Sequence, residues 1–135
     1  MKEITVEAKI EKLDEVLILV DTILEENDCD MKTQMLVDVS VEEIFVNIAH
    51  YAYVDKEGEA RVEVDVLDSP KRISITFIDS GVPYNPLAKE DPDITLPAEE
   101  RPIGGLGIFM VKKNADEISY EYKDGKNVLV FIKNI

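Results

Sequence analysis

Glu43 and Asn47 stand four residues apart in the stretch Val39-Ser-Val-Glu-Glu-Ile-Phe-Val-Asn-Ile-Ala-His-Tyr-Ala-Tyr53, and His50 and Tyr51 follow at i+7 and i+8. On a helix that spacing puts all four on one stripe. A carboxamide oxygen can ligate a hard cation, and a carboxylate one turn away can take a proton from an attacking hydroxyl. Such a pair suits a Mg-assisted phosphoryl transfer. A solvated polar helix face is the plain alternative.

Two further constellations lie downstream. Asp79-Ser-Gly-Val-Pro-Tyr84 follows an alternating run, Ile73, Ile75 and Phe77, directly. A carboxylate at a strand end can accept a hydrogen bond from an exocyclic amine, which selects adenine over guanine, and Gly81 permits close approach by a flat ring. An ordinary Asp-x-Gly turn is the competing reading. Gly104-Gly-Leu-Gly107 opens a short helical pattern. Glycines there let backbone N–H groups converge on an anion at a helix N-terminus; a flexible hinge is the alternative. No Gly-Lys-Ser/Thr follows, so this is no Walker loop, and its spacing and late position exclude a dinucleotide fingerprint.

Several elements must position these residues. Residues 2–10 alternate as a half-buried strand does, and Leu13, Val16, Leu17, Val20, Ile23 and Leu24 keep helical spacing to about Glu26. Asn27 to Asp30 break that helix, and Asp30 can cap the next, which runs from about Met31 to Tyr53. Its apolar face takes in Val39, Ile44, Phe45, Ile48, Ala49 and Ala52, with Met31 and Met35 also expected in the core. His50, the one histidine, reads equally as a phosphate or Tyr51 orienter and as a partly buried structural residue. Ala60 to Val66 and Ile73 to Phe77 form a first hairpin; Ile118 to Lys123 and Val128 to Ile132 form a second around Asp124-Gly125. Between them, residues 79–103 carry five of the six prolines and little periodicity. A loop of that length in a compact domain is functional or disordered. The order β-α-α-β-β-loop-α-β-β predicts an α+β fold, helices on one face of a mostly antiparallel sheet.

At 135 residues the chain is expected to be one domain, 1–135, and its 45% hydrophobic and 33% charged residues suit a folded globular protein. No run of 18 apolar residues and no signal pattern is present, which makes a cytoplasmic location the expectation and a membrane partner unexpected. The net charge of −14 argues against direct nucleic-acid binding, because 15 Lys and Arg dispersed among 29 acids form no basic stripe. A nucleotide is still allowed through backbone N–H groups and a divalent metal. Cys29, the single cysteine, lies in a polar turn and reads as an inert thiol.

Glu43-x-x-x-Asn47, Asp79-x-Gly81-x-Pro83-Tyr84 and Gly104-Gly-Leu-Gly107, in that order, resemble the N, G1 and G2 boxes of the GHKL ATPase superfamily. Within it the short length and the Glu-x-x-x-Asn pattern are similar to anti-sigma-factor serine/threonine kinases. The resemblance covers about residue 35 to the C-terminus. It implies a Bergerat-type two-layer α/β sandwich with a mixed, mostly antiparallel sheet. ATP would lie between the long helix and a lid at about 84–103, with Asn47 on Mg²⁺ and Asp79 on the adenine amine. Gly81 would lie against the ring, Pro83 and Tyr51 beside the nucleotide, and Gly104, Gly105, Leu106 and Gly107 over the phosphates. Glu43 would be the general base toward a hydroxyl of a STAS-type antagonist, and a sigma factor and homodimerisation are further implied partners.

The chain departs from the pattern in three places. Tyr51 stands where relatives often carry His. Pro102 and Ile103 separate Arg101 from the glycines. Gly125-Lys-Asn127 replaces the Gly-Thr of the last hairpin, with Lys126 or Asn127 as the available substitutes. Two functions compete: an ATP-dependent regulatory kinase, and a non-catalytic module that uses ATP to order a partner-binding lid. The ATP domain of a histidine kinase is disfavoured, because the one histidine lies inside the nucleotide helix and no dimerisation helix pair is present.

Overall fold

The alternating runs become five strands in the computed structural model, which describes residues 1–54, 56–88 and 106–135. β1 (Lys2–Glu7), β2 (Glu59–Leu67), β3 (Arg72–Asp79), β4 (Glu117–Lys123) and β5 (Lys126–Asn134) form one sheet in the order β1-β2-β3-β5-β4. Every described ladder is antiparallel. Residue alternation fixes which face is buried. Ala60, Val62 and Val64 of β2, Ile73, Ile75 and Phe77 of β3, and Leu129 and Phe131 of β5 all point inward. The intervening positions, such as Arg61, Thr76 and Val130, face the open side.

α1 (Leu13–Glu26), α2 (Met31–Tyr51) and α3 (Leu106–Asn114) supply the second layer, giving the expected α+β sandwich. Val16, Val20 and Leu24 of α1 meet Val37, Val41, Ile44 and Phe45 of α2 over the sheet. Phe45, Phe77 and Phe131 are fully buried at the centre, each contributing about 2–3 kcal/mol of transfer free energy. Asp30 caps α2 as its position predicts: Oδ1 accepts from Thr33 N–H at 2.7 Å, and these hydrogen bonds hold its carboxyl below the usual range. The Asp124-Gly125 turn has φ of 54° and 77°, the left-handed pair that a tight hairpin requires.

Three expectations need correction. Met31 and Met35 are 70% and 60% exposed, and Val39 is at the boundary at 36%. They sit at i, i+4 and i+8, a stripe opposite the Val37, Val41, Ile44 line that faces the sheet. β1 ends at Glu7, where the chain turns into a short 3-10 segment, Ile10–Lys12, before α1. α2 ends at Tyr51, two residues before the expected Tyr53, so that Ala52 and Tyr53 are free to close the joint below.

Candidate functional site

The inward phase of β3 reads Ile73, Ile75, Phe77, Asp79: three core side chains, then a carboxylate at the strand's last position. β5 runs the other way and starts on Asn127 before Leu129 and Phe131. The sheet register pairs Asp79 directly with Asn127. Both are 6% exposed. At one edge of the core, two adjacent strands therefore change from apolar to polar together.

Burial makes their partners matter, because an unpaired buried polar group is costly. Asp79 Oδ1 accepts from Gly81 N–H and from Asn127 Nδ2, each at 2.9 Å. Asn127 Nδ2 also donates to the Val82 carbonyl at 2.9 Å, and its Oδ1 accepts from Tyr84 N–H at 3.1 Å and from the Tyr120 hydroxyl. Burial pushes the Tyr120 phenol above its usual range.

The C-terminal end of α2 is tied to the same corner. Val82 N–H donates to the Ala52 carbonyl at 2.8 Å, and Ser80 N–H to the Tyr53 hydroxyl at 2.8 Å, which itself donates to the Glu59 carbonyl. A Cβ on Gly81 would lie 2.1 Å from the Ala52 carbonyl oxygen. That close approach to the helix end is what requires a glycine here.

These pieces line an open cleft. Ile44, Asn47, Ile48 and Tyr51 of α2 form one wall; Phe77, Asp79, Leu129, Asn127 and Tyr120 form the floor. Val82, Tyr84 and Pro86 close a second side, and Ile108 of α3 a third. At the mouth the Tyr51 and Tyr84 rings lie 5.9 Å apart. The cavity is apolar with a few convergent polar groups, the usual make-up of a small-molecule site. A flat heteroaromatic ring fits its chemistry: apolar walls, an aromatic rim and a buried carboxylate acceptor.

Asn47, Tyr51 and Asp79 are thus brought together as expected. Glu43 is not among the cavity's lining residues. It lies half-buried one turn earlier, and a Cβ on Gly107 would meet its Oε2 at 2.1 Å, so the carboxylate rests on the first turn of α3. Leu106 opens that helix. Pro83 is exposed and does not line the cavity, whereas its neighbours Val82 and Tyr84 do. His50 is exposed and meets Tyr51 edge to face at 6.0 Å. Gly104, Gly105, Arg101 and residues 89–103 of the expected lid lie outside the described residues. Asn127 is the residue that sequence reasoning left without a role. Its inward phase, shared with Leu129 and Phe131, was the available signal.

Fold and site together define a class. The chain belongs to the histidine kinase-like ATPase domain family, which matches residues 6–133, and this bears out the GHKL resemblance read from its three boxes. It is similar to the serine-protein kinases RsbW of Bacillus cereus (strain AH820), Bacillus anthracis and Bacillus mycoides (strain KBAB4), each 29% identical over 96 residues. That match takes in 68% of this chain and spans 59% of the length of those relatives. No helix among the described residues is long and apolar enough to cross a membrane.

Proposed function

We propose that this protein is an ATP-dependent serine/threonine protein kinase of the anti-sigma-factor type, acting on a STAS-like antagonist protein. The observation that carries the reading is the Asp79 carboxylate, buried at a core-facing strand position in a cleft walled by Asn47 and Tyr51. Similarity to proteins named serine-protein kinase supports the substrate class.

In this reading Asp79 accepts the exocyclic amine of adenine, and the Tyr51 and Tyr84 rings flank the base. Among the described residues no cluster of three or more His, Cys, Asp or Glu is placed to hold a metal, and Asn47 is the side chain that would hold Mg²⁺ beside a bound nucleotide. Held there, the metal would supply charge neutralisation for phosphoryl transfer. Gly104, Gly105 and Gly107 close over the phosphates with backbone N–H groups and the α3 N-terminus. Glu43 takes the proton from the substrate hydroxyl, which requires its carboxylate to leave Gly107 and turn toward the site.

That resting place of Glu43 also favours a second reading, a module that binds ATP to order a partner-binding surface without transfer. One assay separates them: radiolabel transfer from ATP to a purified STAS-type antagonist, together with calorimetric ADP titration. Under the kinase reading Glu43→Gln reduces transfer by about 100-fold or more, the scale of a lost general base, and leaves ADP affinity nearly unchanged. Asp79→Asn weakens ADP binding itself. Transfer that survives Glu43→Gln rejects Glu43 as base, and its absence in the wild type leaves the binding module.

A further inference from the structure

The hydrogen-bond network around Asn127 shows what an amide does at the start of β5. Its orientation is fixed by its neighbours. Tyr84 offers a backbone N–H, which can only donate, so the atom facing it is Oδ1. Asp79 Oδ1 and the Val82 carbonyl can only accept, so both face Nδ2. Two donors and one oxygen with two lone pairs are thereby all used, inside a residue that is 6% exposed. A threonine hydroxyl has one donor and cannot serve Asp79 and Val82 at once.

We propose that Asn127 is the positioning residue for base recognition, a role that rests on the nucleotide reading of the cleft. Its amide and Gly81 N–H both converge on Asp79 Oδ1, which fixes the plane of the carboxylate and leaves Oδ2 to receive the exocyclic amine. The same side chain holds Val82 and Tyr84, whose ring forms one side of the mouth. One carboxamide thus sets both the acceptor at the bottom of the cleft and the wall beside the base. Asn127 touches no reacting atom in this scheme; it acts through Asp79 and Tyr84.

The test is calorimetric titration with ADP on the wild type, Asn127→Asp and Asn127→Thr. Asn127→Asp keeps the acceptor for Tyr84 and Tyr120 but replaces the donor to Asp79 with a second carboxylate. At about pH 8 it is expected to bind ADP about 30-fold more weakly, the scale of leaving a buried acceptor opposed. At about pH 5.5 the deficit shrinks to within about 5-fold, because two facing carboxylates share a proton and regain a donor. Tyr120, whose phenol burial pushes upward, stays protonated throughout and adds no titration of its own. Asn127→Thr keeps a single donor: affinity stays within about 10-fold at both pH values, while the Tyr84 amide exchanges about 10-fold faster than in the wild type.

Asn127→Asp binding within about 3-fold of wild type at about pH 8, or an equal deficit at both pH values, overturns the proposal, since the donor to Asp79 would then be idle. Should that variant not fold, Asn127→Thr decides alone: unchanged Tyr84 exchange overturns the role. A folded wild type that binds no ADP is a different failure, seen without any substitution, and it overturns the nucleotide reading itself.

Discussion

Asp21 of α1 and Asp38 of α2 each bury one carboxylate oxygen, Oδ1, and the two carboxyls face each other across the α1–α2 interface. Burial pushes the Asp38 carboxyl up to about 8, helped by its hydrogen bond to Asp21, the Asp21 charge, and Glu25 one turn further along α1. In the turn between the helices the Cys29 thiol is raised as well, chiefly by burial and then by Asp30 and Asp38. A carboxyl raised in this way keeps its proton to higher pH and can then donate to Asp21 across the α1–α2 interface.

The sign of the pH dependence follows. A carboxyl whose value is raised on folding makes the native state bind the extra proton, so its contribution to stability is whole below about pH 4. It is lost progressively as pH rises to about 8 and is constant above that. A shift of this size at about 1.4 kcal/mol per unit corresponds to roughly 5–6 kcal/mol. Asp38 is partly exposed, and solvent screening brings the expected effect down to about 1–2 kcal/mol. Asp38→Asn supplies a permanent donor to Asp21, so it should be about 1–2 kcal/mol more stable than wild type at about pH 8 and nearly equal near pH 4. Urea denaturation followed by circular dichroism from about pH 4 to 9 measures the difference. Parallel stability curves for the two proteins would show that no proton is shared and refute the reasoning.

Gly81→Ala and Gly107→Ala look alike as substitutions and should behave differently. At Gly81 the new Cβ meets a backbone carbonyl at 2.1 Å. A helix end cannot move aside cheaply, so a loss of about 1–3 kcal/mol or more is expected in thermal or urea denaturation, with weakened ADP binding because Asp79 loses its neighbour's fixed N–H. At Gly107 the nearest atom is the end of the Glu43 side chain, which can swing away. That variant should stay within about 1 kcal/mol of wild type, since alanine is the better helix former. Because Gly107 is proposed to close over the phosphates, its signature is weakened ADP binding at nearly unchanged stability; an equally large stability loss at both glycines would contradict the contrast.

The parts of this molecule that could be read from sequence are those set by local periodicity. Alternation in Ile73, Ile75, Phe77 and the paired left-handed positions at Asp124-Gly125 specify strands and a turn without reference to anything distant. Met31 and Met35 were misplaced because residue type was allowed to stand for burial, when their phase on α2 turns them away from Val37, Val41 and Ile44. The close approach at Gly81 has no local signature, since the Ala52 carbonyl it meets lies just past a helix that ends 30 residues earlier in the chain. Asn127 was hidden for a related reason. Its role depends on register: only when β3 and β5 align does the last inward residue of one face the first inward residue of the other. Phase along each strand nevertheless carries the clue. In an antiparallel pair, a polar residue closing the inward series of one strand and another opening the inward series of its partner must meet at the same edge of the core. There Asn127 uses its hydrogen bonds on Asp79, Val82, Tyr84 and Tyr120, and that leaves Asp79 Oδ2 for a ligand.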